Sequence, residues 1–185
     1  MQFITDKRGN ISPFRLSIAI AAIGGVLVLI SFIVLQLDQG TRRGPYYPPV
    51  PAGAEQWGFP NSNGSGRQQV FYRIADANPE EVGLFYQEQM EQHYGNSAST
   101  IERCQRFPPQ GTYADPQINQ FGQEVYLDFD PQSQAAFRWE CMFDNSGFNT
   151  TQWTQVTVYP GIDSPDPTLN SDGYTVILYD QAWTP

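Results

Sequence analysis

The chain is 185 residues long and carries a net charge of −9, from ten basic and nineteen acidic residues. That excess of acid disfavours nucleic acid and anionic membrane surfaces as partners, because both repel it. Two cysteines are too few for a disulfide-dense scaffold, and the length suits one ordinary domain with an appendage.

The appendage comes first. Leu16 to Leu35 (LSIAIAAIGGVLVLISFIVL) is an unbroken apolar run without a charge. A hydrocarbon core of about 30 Å needs about 20 such residues in a helix. A cleaved signal peptide has a shorter apolar core and a small-residue cleavage site. Here the run exits through Leu35, Gln36, Leu37 and Asp38, which offer no such site. A buried core helix of this length would show a polar face. The sequence therefore predicts a transmembrane helix over residues 16–37 after a short N-terminal segment, residues 1–15.

Charge gives the orientation. Lys7, Arg8 and Arg15 precede the run, whereas Arg42 and Arg43 follow it. Beyond residue 43 there are five arginines, no lysine and seventeen acidic residues. Basic flanks stay cytoplasmic, so the N-terminus is expected inside and residues 40–185 outside the cell membrane. Within the run, Ala21 and Gly25 lie four apart and form a small-residue face on which another membrane helix could pack.

Residues 38–66 read as a linker. Gly44 to Gly53 (GPYYPPVPAG) holds four prolines, which favour an extended, semi-rigid path. Asn61 to Gly66 (NSNGSG) has the composition of a flexible loop. The folded domain is expected to begin at Arg67 and to run to the C-terminus, 67–185.

Gln69 to Ile74 reads as a strand. Asn78 then offers a helix N-cap, Pro79 suits the first helical position, and Glu81 follows the cap by three. Val82, Phe85, Tyr86, Met90 and Tyr94 make one apolar stripe, which Gly95 and Asn96 end. Strands are expected at 100–107, 124–129, 136–143, 153–159 and 174–179, several with period-two alternation. That order gives an α+β class: an antiparallel β-sheet carrying a single packed α-helix. Cys104 and Cys141 both fall within such strands. In an oxidising compartment they are expected to form a disulfide.

Chemistry is sparse. His93 is the single histidine, so a metal site or a serine–histidine–aspartate triad would lack partners. No C-x-x-C-H, phosphate-binding glycine loop or nucleophile elbow occurs. Asp128 and Asp130 would share one face of a strand as solvated charges. The loop of Asp163, Asp166, Asn170 and Asp172 has oxygen ligands for calcium but not the spacing of an EF-hand. No cofactor, no metal and no enzymatic activity are expected.

Val70 to Met90 (VFYRIADANPEEVGLFYQEQM) resembles a strand-into-helix pattern of small exported, membrane-tethered domains of green filamentous phototrophic bacteria. In layout the chain is similar to the single-helix anchored subunit of alternative complex III, a quinol-oxidising electron-transfer complex. The resemblance implies a cofactor-free accessory subunit whose partners are other membrane-protein subunits, and it assigns no functional residue. The alternative is a membrane-tethered extracytoplasmic binding module for a soluble protein or small ligand.

Overall fold

A computed structural model describes residues 13–62, 64, 66–95, 104–147 and 149–185. The chain divides into two compact units, residues 1–41 and 42–185. The first holds helix α1, Pro13–Thr41. Its 29 residues would extend about 43 Å at 1.5 Å per residue. From Leu16 on it is long and apolar enough to cross a membrane, and its apolar side chains are uncovered. The sequence stopped this helix at Leu37, two residues past the end of its unbroken apolar run, but backbone helicity continues one turn into polar residues.

The second unit is α+β. Its strands are β1 (Glu55–Gln56), β2 (Asn61–Ser62), β3 (Arg67–Ala75), β4 (Gln105–Phe107), β5 (Gln117–Ile118), β6 (Glu124–Val125), β7 (Arg138–Asp144), β8 (Gln152–Pro160) and β9 (Tyr174–Trp183). One antiparallel sheet runs in the order β1-β3-β9-β8-β7-β4, with β2 also on β3, while β5 and β6 form a separate ribbon. Helix α2 (Pro79–Tyr94) carries the chain from β3 at one side of the sheet to β4 at the other. It starts as the sequence predicts: Asn78 Oδ1 accepts from the Glu80 backbone N–H at 3.0 Å, and proline opens the first turn.

Register sorts the sheet into two faces. Val70 pairs with Tyr179, Tyr179 with Val156, and Val156 with Cys141, so these four share a face. On it Val70, Val156, Val158, Ile177, Tyr179, Cys141 and Phe143 are buried with Val82, Tyr86 and Met90 of α2. The stripe of α2 is thus core, as its spacing requires. Gly83 permits the close approach, because a Cβ there would lie 2.7 Å from the Trp139 ring. Glu80 fixes the same corner. Its carboxylate accepts from Arg106 Nε at 2.9 Å and from Trp139 Nε1 at 2.7 Å.

Two expectations need correction, and a third lies partly outside the described residues. Residues 124–129 do not add a strand to the main sheet. Only Glu124 and Val125 pair, with Ile118 and Gln117, and Tyr126 and Leu127 are exposed. Alternation alone cannot supply a neighbour to hydrogen-bond with, and nothing pairs with 126–129. The strand expected at 100–107 is described only from Cys104, and its earlier part lies outside the described residues. Residues 44–62, expected as a spacer ahead of the domain, are part of it: β1 and β2 pair with β3, and Tyr46 and Ala54 pack on the core.

Candidate functional site

The cysteines are bonded to each other, Cys104 to Cys141. The pairing of Gln105 with Glu140 and of Arg106 with Trp139 sets Cys104 directly opposite Cys141, across neighbouring strands. The bridge fastens the short edge strand β4, and Met90 Sδ of α2 lies 3.5 Å from Cys104 Sγ. Ala21 and Gly25 fall four apart on the uncovered surface of α1, where a Cβ at Gly25 would meet nothing within 4 Å.

The other singled-out residues do structural work. His93 lies in the last turn of α2, with Nδ1 3.3 Å from the Tyr46 hydroxyl and its ring edge-on to Tyr94 and Phe143. Asp130 does not share a strand face with Asp128. It holds a turn, accepting from the Ser133 hydroxyl at 2.7 Å and from the Gln132 N–H at 3.1 Å. Asp166 likewise accepts from the Thr168 hydroxyl and N–H, at 2.7 and 2.9 Å, and Asn170 donates to the Ser164 carbonyl at 3.1 Å. The loop expected as a calcium candidate therefore uses these oxygens on itself. Among the described residues no group of three or more histidine, cysteine, aspartate or glutamate side chains is placed to hold a metal.

Residues 42–50 form a strap on the α2 side of the sheet. Prolines leave a chain short of N–H donors but rich in carbonyls. The sheet answers with side-chain donors from inward-facing positions. Gln152 Nε2 donates to the Gly44 carbonyl at 2.8 Å. The Tyr46 carbonyl accepts from Thr154 Oγ1 at 2.5 Å and also from Gln181 Nε2. Tyr179 lies 3.2 Å from the carbonyls of Pro48 and Pro49 and 2.7 Å from the Tyr86 hydroxyl. A phenol has one proton to give, so Tyr86 donates to Tyr179 and Tyr179 to the strap. Burial pushes both phenols well above the ordinary tyrosine range. Arg42 begins the strap by donating to the carbonyl of Asn145. The sequence signal for the buried donors alone was available: Gln152 and Thr154 share the inward parity of Val156 and Val158, as Gln181 shares that of Tyr179. Buried polar groups in a core register require partners.

The opposite face is different. No helix covers it. Phe71, Thr157, Arg138 and Tyr159 project there, and the loops between β4 and β7 and between β8 and β9 rise around them. Two adjoining depressions result, of about 430 and 570 Å³, which share Ser133, Tyr159 and Ile162. The first is apolar, with Trp57, Phe59, Phe71 and Leu169 around it. Phe59 is 94 % exposed, Leu169 61 % and Leu127 46 %. The Trp57 ring meets Phe71 edge-on at 6.2 Å, and the Trp57 backbone N–H donates to the Phe71 carbonyl at 2.8 Å. Burial pushes the Tyr159 phenol up to about 12. The neck of the β8–β9 loop is closed by Gly161 and Ile162. A Cβ at Gly161 would fall 1.8 Å from the Ser171 carbonyl, and Ile162 N donates to Ser171 Oγ at 3.0 Å.

No family model matches the chain, and no curated protein or solved structure does.

The groove must therefore be read from its own chemistry. It offers aromatic and aliphatic surface, carboxylates along its loops, and one lining cation among the described residues, Arg138, which is ion-paired with Glu140 at 2.6 Å. A nucleophile with an adjacent base is not assembled among the described residues that line it. Neither Trp57 nor Phe59 was singled out from the sequence, because both lie in the stretch read as a linker.

Proposed function

We propose that the chain is a cofactor-free accessory subunit of a membrane-bound complex, anchored by α1 with its domain on the extracytoplasmic side. The uncovered helix carries this reading: α1 is long and apolar enough to cross a membrane, and its apolar side chains are exposed. Within the domain, Arg42, Gly44 and Tyr46 are bonded to Asn145, Gln152 and Thr154. The disulfide fits an oxidising, extracytoplasmic compartment. Ala21 and Gly25 are the positions at which α1 would approach a neighbouring helix, since membrane helices associate through close backbone contact. A quinol-oxidising complex of the kind the layout resembles is the first assembly in which to look.

Extraction of the full chain from its own membranes in mild detergent tests the proposal. It should migrate with other subunits, and Gly25→Leu should release it while leaving the disulfide-bonded domain folded. Migration of the wild-type chain as a lone monomer would favour the second reading, a tethered binding module. The open groove is the observation on that side.

A further inference from the structure

We propose that the helix-free face of the sheet docks a basic, apolar peptide segment of a partner protein. Its apolar side chains would enter between Phe59 and Leu169, and its lysines or arginines would meet the aspartates of the flanking loops. The inference rests on reading this groove as a binding face and is independent of whether α1 joins a complex.

Three observations converge on that occupant. The first is shape. The two depressions share Ser133, Tyr159 and Ile162, so they adjoin as one groove on this face of the sheet. An extended segment advances about 3.3 Å per residue and would present alternate side chains to such a floor. The second is apolar exposure. Phe59, Leu127 and Leu169 stand at the groove with much of their surface in water. Clustered exposure of large apolar groups marks a surface that another molecule covers.

The third is charge, which selects among peptides. Asp128 lines the groove, and the two loop segments that contribute to its lining, 126–135 and 161–173, also carry Asp130, Asp163, Asp166 and Asp172 without any lysine or arginine. The lining Arg138 is spoken for by Glu140. Two of the aspartates are fixed in place by their own turns, Asp130 by Ser133 and Asp166 by Thr168. The same hydrogen bonds hold these two carboxyls below the usual carboxylate range. An acidic or neutral segment would leave these carboxylates facing nothing of opposite sign. A basic one brings complementary potential, which speeds encounter and selects the partner.

The test uses the full chain in nanodiscs of neutral lipid, with empty nanodiscs as blank. The probes are three fluorescent, end-capped decapeptides. One alternates lysine with phenylalanine and leucine, one replaces its lysines by glutamate, and one replaces its apolar residues by serine. Anisotropy should show binding of the first only, weakened at least tenfold by raising the salt from about 50 to about 500 mM, because rim charges are screened. The double variants Phe59→Ser/Leu169→Ser and Asp128→Asn/Asp163→Asn should each weaken it about tenfold. Leu84→Ser, on the outer side of α2, should leave it unchanged. These variants keep the turn bonds of Asp130 and Asp166. If the glutamate peptide binds as well as the lysine peptide and still needs Phe59 and Leu169, the basic partner is wrong while the groove stands. If no peptide binds, or if binding ignores Phe59 and Leu169, the groove reading itself is overturned.

Discussion

The two faces of one sheet solve opposite problems. On the α2 side the core positions are covered, apolar ones by the helix, and the buried polar ones are bonded to the strap or to the chain before α2. Even Gln181, Thr154 and Thr175, fully buried, have partners: Gln181 and Thr154 on Tyr46, and Thr175 on the Ala77 carbonyl at 2.7 Å. On the other side the sheet is ringed by loops and left open, with Phe59 and Leu169 facing water. A side that is sealed and satisfied supplies stability. A side that exposes aromatic surface beneath a charged rim gives up some stability for recognition. Substitutions on the first face should move unfolding, and those on the second should move binding.

The largest effect belongs to the covalent link on the sealed side. Replacing both Cys104 and Cys141 by alanine frees a loop spanning 37 residues. The chain-entropy model gives about 3–4 kcal/mol of lost stability for a loop of that size. Urea unfolding of the solubilised chain measures it. A midpoint that does not move would show that β4 is not held by the bridge.

Next comes the strap. Thr154→Val with Gln181→Leu removes both side-chain donors to the Tyr46 carbonyl and leaves a buried acceptor unpaired. The expected cost is about 1–3 kcal/mol. Limited proteolysis should then cut within residues 44–54, which the wild-type chain protects. Equal protection in both would mean that the strap is held by its tyrosines and not by these bonds.

Alkali probes both faces through their phenols. Burial raises the Tyr159 pKa from its ordinary value near 10 to about 12, and raises Tyr86 and Tyr179 as well. The folded state therefore holds protons that the unfolded chain has released. The stability these groups contribute is complete below about pH 10 and is lost as the pH climbs toward 12 and beyond. Tyr159→Phe should flatten part of the decline between those values, in unfolding curves taken across that window. An unchanged slope would place Tyr159 in more water than its surroundings imply.

The smallest change in stability is expected on the open side. Phe59→Ser with Leu169→Ser removes exposed groups and should shift the unfolding free energy by no more than about 0.5 kcal/mol. A shift several times larger would mean that these side chains are core, and the contrast between the faces would fail.

How much of this could be read from the sequence differs along the same line. α1, β3, the capped start of α2, the inward parity of β7 to β9 and the pairing of Cys104 with Cys141 were all legible. Each rests on a local rule of period, cap or compartment. The strap was not legible, because four prolines in ten residues look alike whether the segment crosses water or lies on a protein. What decides is the set of donors on β8 and β9, more than a hundred residues away in sequence for Gly44 and Tyr46. Residues 126–129 show the converse. Leu127 and Phe129 alternate as a strand would, yet with no described strand beside them Leu127 lines the groove and Phe129 stacks on Tyr113. The groove is a product of topology, assembled from Phe59 near the start of the domain and Leu169 near its end, and no spacing rule joins those positions.

Photo-crosslinking in native membranes tests the central contrast most directly, using a photoreactive phenylalanine analogue placed in turn at positions 59, 169 and 84 of the full chain. Crosslinks to another polypeptide from 59 and 169, and none from 84 on the outer side of α2, are predicted. Crosslinks from 84 alone would make the helix side the working surface and contradict the account.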